Sequence, residues 1–189
     1  MPFEYLGSHV GSSPAHTSGR SLSLGFRLAT ALMGHSGIEW DLTATTDAER
    51  DALRTWVGAY RSLRGLIHSG SVVRGEGGED PIVTGVVAHD ARDAVFWITC
   101  LVTPSDSVSP IRRLVGLDPQ RSYRVAPVDV GFPPATYPGT APEWWAAGEI
   151  TLTGAVLGAV GIDVPLLHAD EAIVLRVVAV ESAHASGHL

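Results

Sequence analysis

The first seventy residues alternate between helical and extended patterns of hydrophobic positions. Residues 21–33 place apolar side chains at close to helical spacing, which predicts a first helix. The next segment, Ile38–Leu42, alternates strictly between apolar and polar residues and predicts a strand. Thr46 and Glu49 then form a capping box at the start of a second predicted helix, which ends at Gly70. The apolar stripe of this helix contains Leu53, Trp56, Val57, Tyr60, Leu63 and Ile67.

After Gly70 the pattern changes to short β-branched runs that are separated by turns. Runs over residues 82–89 and 94–102 flank the turn Asp90–Asp93 and predict a hairpin. Further strands are predicted near residues 111–115, 123–128, 149–153 and 171–180, whereas the proline-rich residues 131–148 are predicted to be irregular. Strands joined by tight turns predict an antiparallel β-sandwich. The fold class is therefore mixed, with a βαβα segment followed by a sandwich that is the main folded domain.

Composition and charge narrow the range of functions. The chain has 189 residues and a formal net charge of -7, and all 13 of its basic residues are arginine. An acidic chain without a basic run is not expected to bind nucleic acid or an anionic membrane. No apolar run approaches the ~20 residues of a membrane span, and residues 1–5 do not begin a signal peptide. We therefore expect a cytoplasmic protein with neither nucleic acid nor membrane as a partner.

Glu39 and Asp41 are the most obvious pair of carboxylates. Two residues apart on a strand, they share a face at about 6.6 Å, which falls within the roughly 6.5–9.5 Å of an inverting glycosidase. Both lie on one strand, so they cannot flank a scissile bond from opposite sides. We expect them to be solvated or paired rather than catalytic.

The histidines and the single cysteine predict no metal site. His9, His16 and His35 are separated by spacings that match no pattern of zinc ligands. Cys100 lies in the middle of a predicted strand, where it is expected to be a buried apolar side chain. A single cysteine also excludes an internal disulfide. The sequence therefore predicts neither a metal nor an organic cofactor.

The loop after the first predicted strand is the best candidate for ligand binding. Residues 7–20 combine glycines and hydroxyl side chains with His9, His16 and Arg20. Loops at the carboxyl ends of strands build the sites of α/β barrels. The loop lacks both Gly-x-Gly-x-x-Gly and the P-loop lysine, so sugar recognition suits it better than nucleotide binding. An ordinary connecting loop, in which His16 or Arg20 satisfies backbone carbonyls, is equally consistent with the sequence.

Several short motifs carry a family resemblance. They are LGSHV (6–10), PAHTSGR (14–20), MGHSGIEWDLT (33–43), LIHSG (66–70) and LDPQRSYRV (117–125). The first three resemble the M-G-A-H-V … P-x-H-x-T-G-R and F-G-x-x-G-x-E-x-D-L-T stretches of glycoside hydrolase family 36, the α-galactosidases. Ser8 and Ser18 stand where alanine and threonine are usual.

The resemblance implies an amino-terminal β-domain, a central (β/α)8 barrel and a carboxyl-terminal antiparallel β-domain in the complete enzyme. Residues 1–70 then correspond to the last two βα units of the barrel, and residues 71–189 to the carboxyl-terminal domain. The retaining mechanism that the family implies uses two aspartates about 5–5.5 Å apart. No residue here matches either motif, so both are expected upstream. We therefore assign no catalytic residue to this chain and expect His9, His16 and Arg20 to bind substrate.

The resemblance also implies a function, with two alternatives. The chain would be part of a retaining α-galactosidase that hydrolyses terminal α-galactosyl groups of oligosaccharides such as raffinose or melibiose, without a cofactor. One alternative is a fragment of a transglycosylating relative of the raffinose-synthase type. The other is a non-catalytic carbohydrate-binding or interaction module, which needs an exposed aromatic platform. Only Phe96, Trp97 and the pair Trp144 and Trp145 are available for it, and that pair is expected to anchor the proline-rich segment.

The predicted assembly is a homo-oligomer. Two barrel strands without their neighbours would present unpaired edges, and the helices beside them would present an apolar stripe. Exposed edges and patches of this kind recruit partners.

Overall fold

The computed structural model describes residues 3–75, 81–105, 107–108 and 111–180 of the chain. The helices are α1 (Leu24–Ala31), α2 (Asp47–Ser69), α3 (Glu143–Ala147) and α4 (Gly154–Ala159). The strands are β1 (Gly7–Gly11), β2 (His35–Glu39), β3 (Ser71–Arg74), β4 (Ile82–Val87), β5 (Asp93–Cys100), β6 (Ile111–Arg112), β7 (Ser122–Pro127), β8 (Ile150–Thr153), β9 (Ile162–Asp163) and β10 (Glu171–Val180). Short 3-10 helices span Phe3–Tyr5 and Leu42–Ala44. Within the described ranges, no helix is long and apolar enough to cross a membrane.

Strands β1 and β2 form a two-stranded parallel sheet, and α1 is the crossover between them. The register runs from Gly7 opposite His35 to Gly11 opposite Glu39. Parallel strands need a crossover of this kind, because a tight turn cannot join them. Since the strands are in register along their whole length, their carboxyl ends lie side by side.

Helix α2 begins with the capping box that the sequence predicts. The hydroxyl of Thr46 accepts a hydrogen bond from the backbone N–H of Glu49, and the Glu49 carboxylate accepts one from the N–H of Thr46 at 2.8 Å. The predicted stripe is buried at Leu53, Trp56 and Leu63. The second predicted helix is therefore confirmed.

Six strands form one antiparallel sheet in the order β3-β4-β5-β10-β7-β8. In its centre, β5 and β10 pair from Cys100 opposite Glu171 to Asp93 opposite Val178. Every residue of β5 from Ala94 to Cys100 is buried. A near-continuous apolar sequence of this kind fits a strand that is covered on both faces. The predicted hairpin β4–β5 and the predicted strand over residues 171–180 are both confirmed.

The two faces of this sheet are covered differently. On one face, Trp97 and Val174 pack with buried residues of α1 and α2. On the other face, Phe96 and Leu175 pack with the short helices and with the two-residue ribbon β6–β9. The antiparallel sheet of the predicted sandwich is thus present, but the second layer is mostly loops. Prolines are frequent in these loops, and proline has no N–H to donate to a strand ladder.

Two buried tryptophans attach α1 to its surroundings. The indole Nε1 of Trp56, on α2, donates a hydrogen bond to the Leu28 carbonyl at 2.7 Å. The indole Nε1 of Trp97, on β5, donates to the next carbonyl, that of Ala29, at 2.9 Å. Helix α1 is therefore held from both sides, by α2 and by the large sheet.

Two local predictions were wrong. The strand predicted over Ile38–Leu42 is displaced, because the Asp41 side chain accepts the backbone N–H of Thr43 and starts a 3-10 helix directly after β2. The proline-rich residues 131–148, which were predicted to be irregular, contain the helix α3. Pro142 is the N-cap of α3 and Gly148, with a φ of 84°, ends it.

Candidate functional site

A fixed positive charge lies at the carboxyl ends of the two parallel strands. Arg27 of α1 donates a hydrogen bond to the carbonyl of Gly11, the last residue of β1. Its guanidinium carbon lies 5.0 Å from the centre of the Trp40 ring, just beyond β2. Burial lowers the pKa of Arg27, but a guanidinium remains charged in proteins. No sequence pattern singles out this arginine, because it lies in the middle of a predicted helix.

His9 and Glu39 contact each other across the two strands, with 3.1 Å between His9 Nε2 and Glu39 Oε2. His9 is opposite Gly37 in the register, and Glu39 is two residues further along β2, so both side chains project from one face. They remain 56% and 66% exposed. An accessible imidazole that a carboxylate orients can donate or accept a hydrogen bond from a polar ligand.

Glu39 and Asp41 do not act as a pair. Glu39 contacts His9, whereas the Asp41 carboxylate accepts hydrogen bonds from both the N–H and the hydroxyl of Thr43, at 2.9 and 2.7 Å. These hydrogen bonds lower the pKa of Asp41, with the Thr43 hydroxyl as the larger cause. The expectation that these carboxylates are solvated or paired agrees with this geometry.

Residues 7–11 of the predicted loop form β1 instead, which places His9 in a strand. The loop between β1 and α1, residues 12–23, carries the other two predicted substrate-binding residues. His16 is exposed and has no hydrogen bond or ion pair within the part of the chain that the structure describes. Arg20 instead donates to the Asp170 carboxylate at 2.9 Å. Asp170 directly precedes β10 and is 150 residues away along the chain. Sequence reasoning missed it, because nothing local to either residue indicates that they meet.

Two serines tie the parallel strands to the end of α1. Ser8 and Ser36 are opposite each other in the register. Both hydroxyls donate to the Ala31 carbonyl, which lies in the last turn of α1. The unusual Ser8 of the first motif therefore satisfies a helix carbonyl that has no partner within the helix.

His35 and His68 lie at the other end of β2, away from His9. Their rings are 4.1 Å apart, and His68 Nε2 is 3.2 Å from the Gly34 carbonyl. The Tyr60 hydroxyl accepts the backbone N–H of Ser36 nearby at 3.2 Å. Among the described residues, no three histidine, cysteine or carboxylate side chains are grouped to hold a metal.

Trp144 and Cys100 have structural roles. Trp144 is buried, and its indole Nε1 donates to the Asp163 carbonyl at 2.9 Å, which anchors the proline-rich segment. Trp145 packs edge-on against it, with 5.4 Å between the ring centres. Cys100 is buried at the end of β5, as the sequence predicts. Neither group belongs to the edge that carries His9.

Two family descriptions match separate parts of the chain. "Melibiase" matches residues 1–70, and "Glycosyl hydrolase family 36 C-terminal domain" matches residues 82–177. The chain is 32% identical over 182 residues to an α-galactosidase of Escherichia coli, covering 93% of this chain and 25% of that protein. It is 29% identical over 156 residues to the α-galactosidase AgaA of Geobacillus stearothermophilus, covering 80% of this chain and 21% of that protein.

Solved structures give the same fold. The structure of AgaA from Geobacillus stearothermophilus is 25% identical with a TM-score of 0.77, over 95% of this chain and 22% of that one. The α-galactosidase from Lactobacillus brevis is 23% identical with a TM-score of 0.78, over 99% of this chain and 24% of that one. This chain therefore spans about a quarter of the length of the relatives that it matches.

Proposed function

The chain belongs to glycosyl hydrolase family 36, and on that basis we propose that it is the carboxyl-terminal part of a retaining α-galactosidase. The complete enzyme would hydrolyse terminal α-galactosyl groups of oligosaccharides. Both relatives are named α-galactosidases, and the chain aligns with about a quarter of their length. The proposed substrate is an α-galactoside, and hydrolysis would release galactose and the shortened sugar.

We assign residues 1–70 to the last two βα units of a (β/α)8 barrel and residues 71–189 to a carboxyl-terminal β-domain. The parallel pair β1 and β2, joined by α1 and followed by α2, supports the first assignment. The six-stranded antiparallel sheet supports the second. Each parallel strand has only one partner within the described ranges, so each has an edge on which a further barrel strand can pair.

An apolar groove beside β2 and α2 fits a further βα unit of the barrel. Its floor consists of Ile38, Leu42, Leu53 and Val57, and its volume is about 410 Å³. Leu42 is 44% exposed here, which is unusual for a large apolar side chain next to a strand end. Arg50, Arg54 and Arg61 also line the groove, and Arg50 and Arg54 pair with Asp47 and Asp51 of the same helix.

The contact of His9 with Glu39 is the observation that carries the site proposal. Glu39 is the last residue of β2 and His9 is the middle residue of β1, so the contact lies toward the carboxyl ends of the strands, where barrel enzymes place their substrates. We propose that His9 hydrogen-bonds a sugar hydroxyl through Nδ1 and that Glu39, which contacts Nε2, holds the imidazole in the orientation for it. His16 and Arg20 belong to the loop above this edge and form the rim of the pocket.

The chemistry itself would come from the upstream part of the enzyme. Retention of configuration needs one carboxylate to attack the anomeric carbon and a second to protonate the leaving oxygen and then activate water. The resemblance provides a match for neither in this chain. Its residues would instead bind and orient the galactosyl group, and a well-placed hydrogen bond contributes about 1–3 kcal/mol when its loss leaves a buried partner unpaired.

The observed burial argues against a carbohydrate-binding module built on the sheet. Phe96 and Trp97, which would form its aromatic platform, are fully buried on opposite faces of the sheet. Trp144 is buried as well. Stacking on a sugar ring needs an accessible aromatic face, so these three side chains are not available for it.

A hybrid enzyme tests the proposed function. The part of the Escherichia coli α-galactosidase that precedes its matched segment is joined to this chain, and the product is assayed with an aryl α-galactoside. We expect turnover by the hybrid, and none by this chain alone, because loss of the catalytic carboxylates costs many orders of magnitude.

The controls are the upstream part without this chain and the hybrid with His9→Ala. The first should be inactive, and the second should keep its melting temperature but lose activity. Turnover by this chain alone, or a hybrid that unfolds cooperatively yet hydrolyses nothing, would contradict the proposal.

A further inference from the structure

Three segments meet at the beginning of α1. Ser23, at the end of the β1–α1 loop, caps the helix by accepting the backbone N–H of Phe26 at 3.0 Å. Gly25 packs so closely under the proline-rich segment that a Cβ there would lie 3.2 Å from the Phe132 carbonyl oxygen. The start of β10 is the third segment. The carboxyl-terminal part of the loop that carries His16 and Arg20 therefore lies beside the large sheet domain, although most of the loop is exposed.

Glu171, the first residue of β10, is a buried acid at this junction. It is only 6% exposed. Burial raises the pKa of its carboxyl group, and the neighbouring Ser23 side chain and Ala135 backbone oppose that increase. Within the described part of the chain, its Oε2 has no hydrogen-bond partner. A carboxyl group is costly to bury, so its retention at this point calls for a specific explanation.

Asp170, immediately before it, holds the same loop from outside. Its backbone has a φ of 56°, a conformation that aspartate adopts more readily than most residues. Its carboxylate accepts the hydrogen bond from Arg20 at 2.9 Å. Two adjacent acidic residues of the sheet domain therefore contact the loop at two points, Arg20 and Ser23.

We propose that Asp170 and Glu171 are positioning residues that fix the β1–α1 loop, Asp170 through Arg20 and Glu171 through Ser23. The importance of this for sugar binding rests on the proposed function, since that places the loop at the rim of the pocket. The carboxyl-terminal sheet domain then does more than cover the barrel. It sets the position of a substrate-binding loop that lies 150 residues earlier in the sequence.

Amide hydrogen exchange on the full chain tests this positioning of the β1–α1 loop without an activity assay. The reporters are the backbone N–H groups of Ala15 and Gly19, which are bonded within the loop to Arg20 and Ala15 carbonyls. Asp170→Gly removes the carboxylate and accepts the positive φ. We expect these two amides to exchange up to about fivefold faster, the factor that corresponds to a surface ion pair of about 1 kcal/mol. Amides of β5 should exchange as before.

Two control variants separate the positioning of the loop from a change in the overall stability of the chain. Asp93→Ala breaks the other ion pair of β10, in which Arg176 donates to Asp93 at 2.9 Å. It should leave the exchange of the loop unchanged. Exchanging the two charges, Arg20→Asp with Asp170→Arg, should restore part of the protection that Asp170→Gly loses.

Glu171 is tested by two variants. Glu171→Gln keeps a polar side chain of the same length beside Ser23 and Ala135, and Glu171→Ala removes it. Protection of the loop should survive the first change and be lost in the second. In the active hybrid, Asp170→Gly should raise KM severalfold with kcat little changed, as expected for a residue that acts through a binding loop.

Unchanged exchange of the loop amides in Asp170→Gly and Glu171→Ala would overturn the proposal. So would an equal acceleration in β5, because the effect would then be general destabilisation. An inactive hybrid with the expected exchange pattern would count against the proposed function alone.

Discussion

Trp97→Phe tests whether the βα segment and the large sheet form one cooperative unit. Trp97 is fully buried on β5, and its indole donates to the Ala29 carbonyl of α1 at 2.9 Å. The change removes that hydrogen bond. The carbonyl also accepts the N–H of Leu32 at 3.4 Å, so its loss costs about 1 kcal/mol, at the low end for a buried group. Replacing an indole with a phenyl ring leaves a cavity of about 40 Å³, worth roughly 1 kcal/mol more at ~24 cal/mol per Å³.

The sum is about 2 kcal/mol in the free energy of unfolding. Urea titration followed by far-ultraviolet circular dichroism measures it, and with a slope of ~2 kcal/mol/M the midpoint should fall by about 1 M. Trp145→Phe is the matched control, because Trp145 is only half-buried and its indole nitrogen donates no hydrogen bond within the described residues. Its midpoint should move by less than half as much.

Two results would refute this reasoning. If Trp97→Phe shifts the midpoint no more than the control does, the bond to Ala29 does not contribute as the structure indicates. If the unmodified chain unfolds in two separate steps, residues 1–70 and the large sheet are independent units. The conclusion that the bonds of Trp56 and Trp97 join these parts into one cooperative unit would then be wrong.

Three further predictions concern the site and the surface. In the active hybrid, His16→Ala should lower kcat/KM by about 5- to 150-fold without changing the melting temperature, because the side chain is exposed; lost stability with normal kinetics would make it structural. Burial raises the pKa of Glu171 from 4.5, with His168 and Asp170 as its titratable neighbours. Its contribution to stability is therefore complete below the unfolded pKa and is lost as the pH rises through the folded pKa. In urea titrations, the free energy of unfolding should fall less with rising pH in Glu171→Gln than in the unmodified chain. Identical pH profiles would count against this. Sedimentation at micromolar concentration should show self-association that Leu42→Arg weakens, whereas a strict monomer would mean that the apolar groove needs no cover.

Local chemistry explains which elements the sequence predicts well. The capping box of Thr46 and Glu49 involves residues three apart, so the start of α2 is visible in the sequence and is present in the structure. The apolar run at β5 is equally direct. The end of β2 was predicted incorrectly, because Asp41 fits two local patterns. It continues the alternation of a strand, but in the structure its carboxylate caps the following 3-10 helix.

The types of residue in the candidate site could be predicted from the sequence, but the residues that they contact could not. Histidines and an arginine in a loop after a strand predict a binding function, whereas the structure places His9 in the middle of β1 and only His16 and Arg20 in the loop. The identity of each partner depends on the tertiary fold. Glu39 reaches His9 only because the parallel register offsets them by two residues, and Arg20 meets Asp170 only because β10 starts beside α1.

Under the proposed function, the same dependence gives the sheet domain a role in holding the substrate-binding loop. A loop that binds sugar must be held in a fixed position, because a binding loop that is free to move loses affinity through the entropy of ordering it. Hydrogen bonds within the loop, such as that from Gly19 to Ala15, fix its internal shape but not its position over the strands. Its position requires contacts from outside, and those come from Asp170 and Glu171 of the sheet domain. A βα segment separated from its sheet would keep His9 and Glu39 on adjacent strands but would lose the external support of His16 and Arg20.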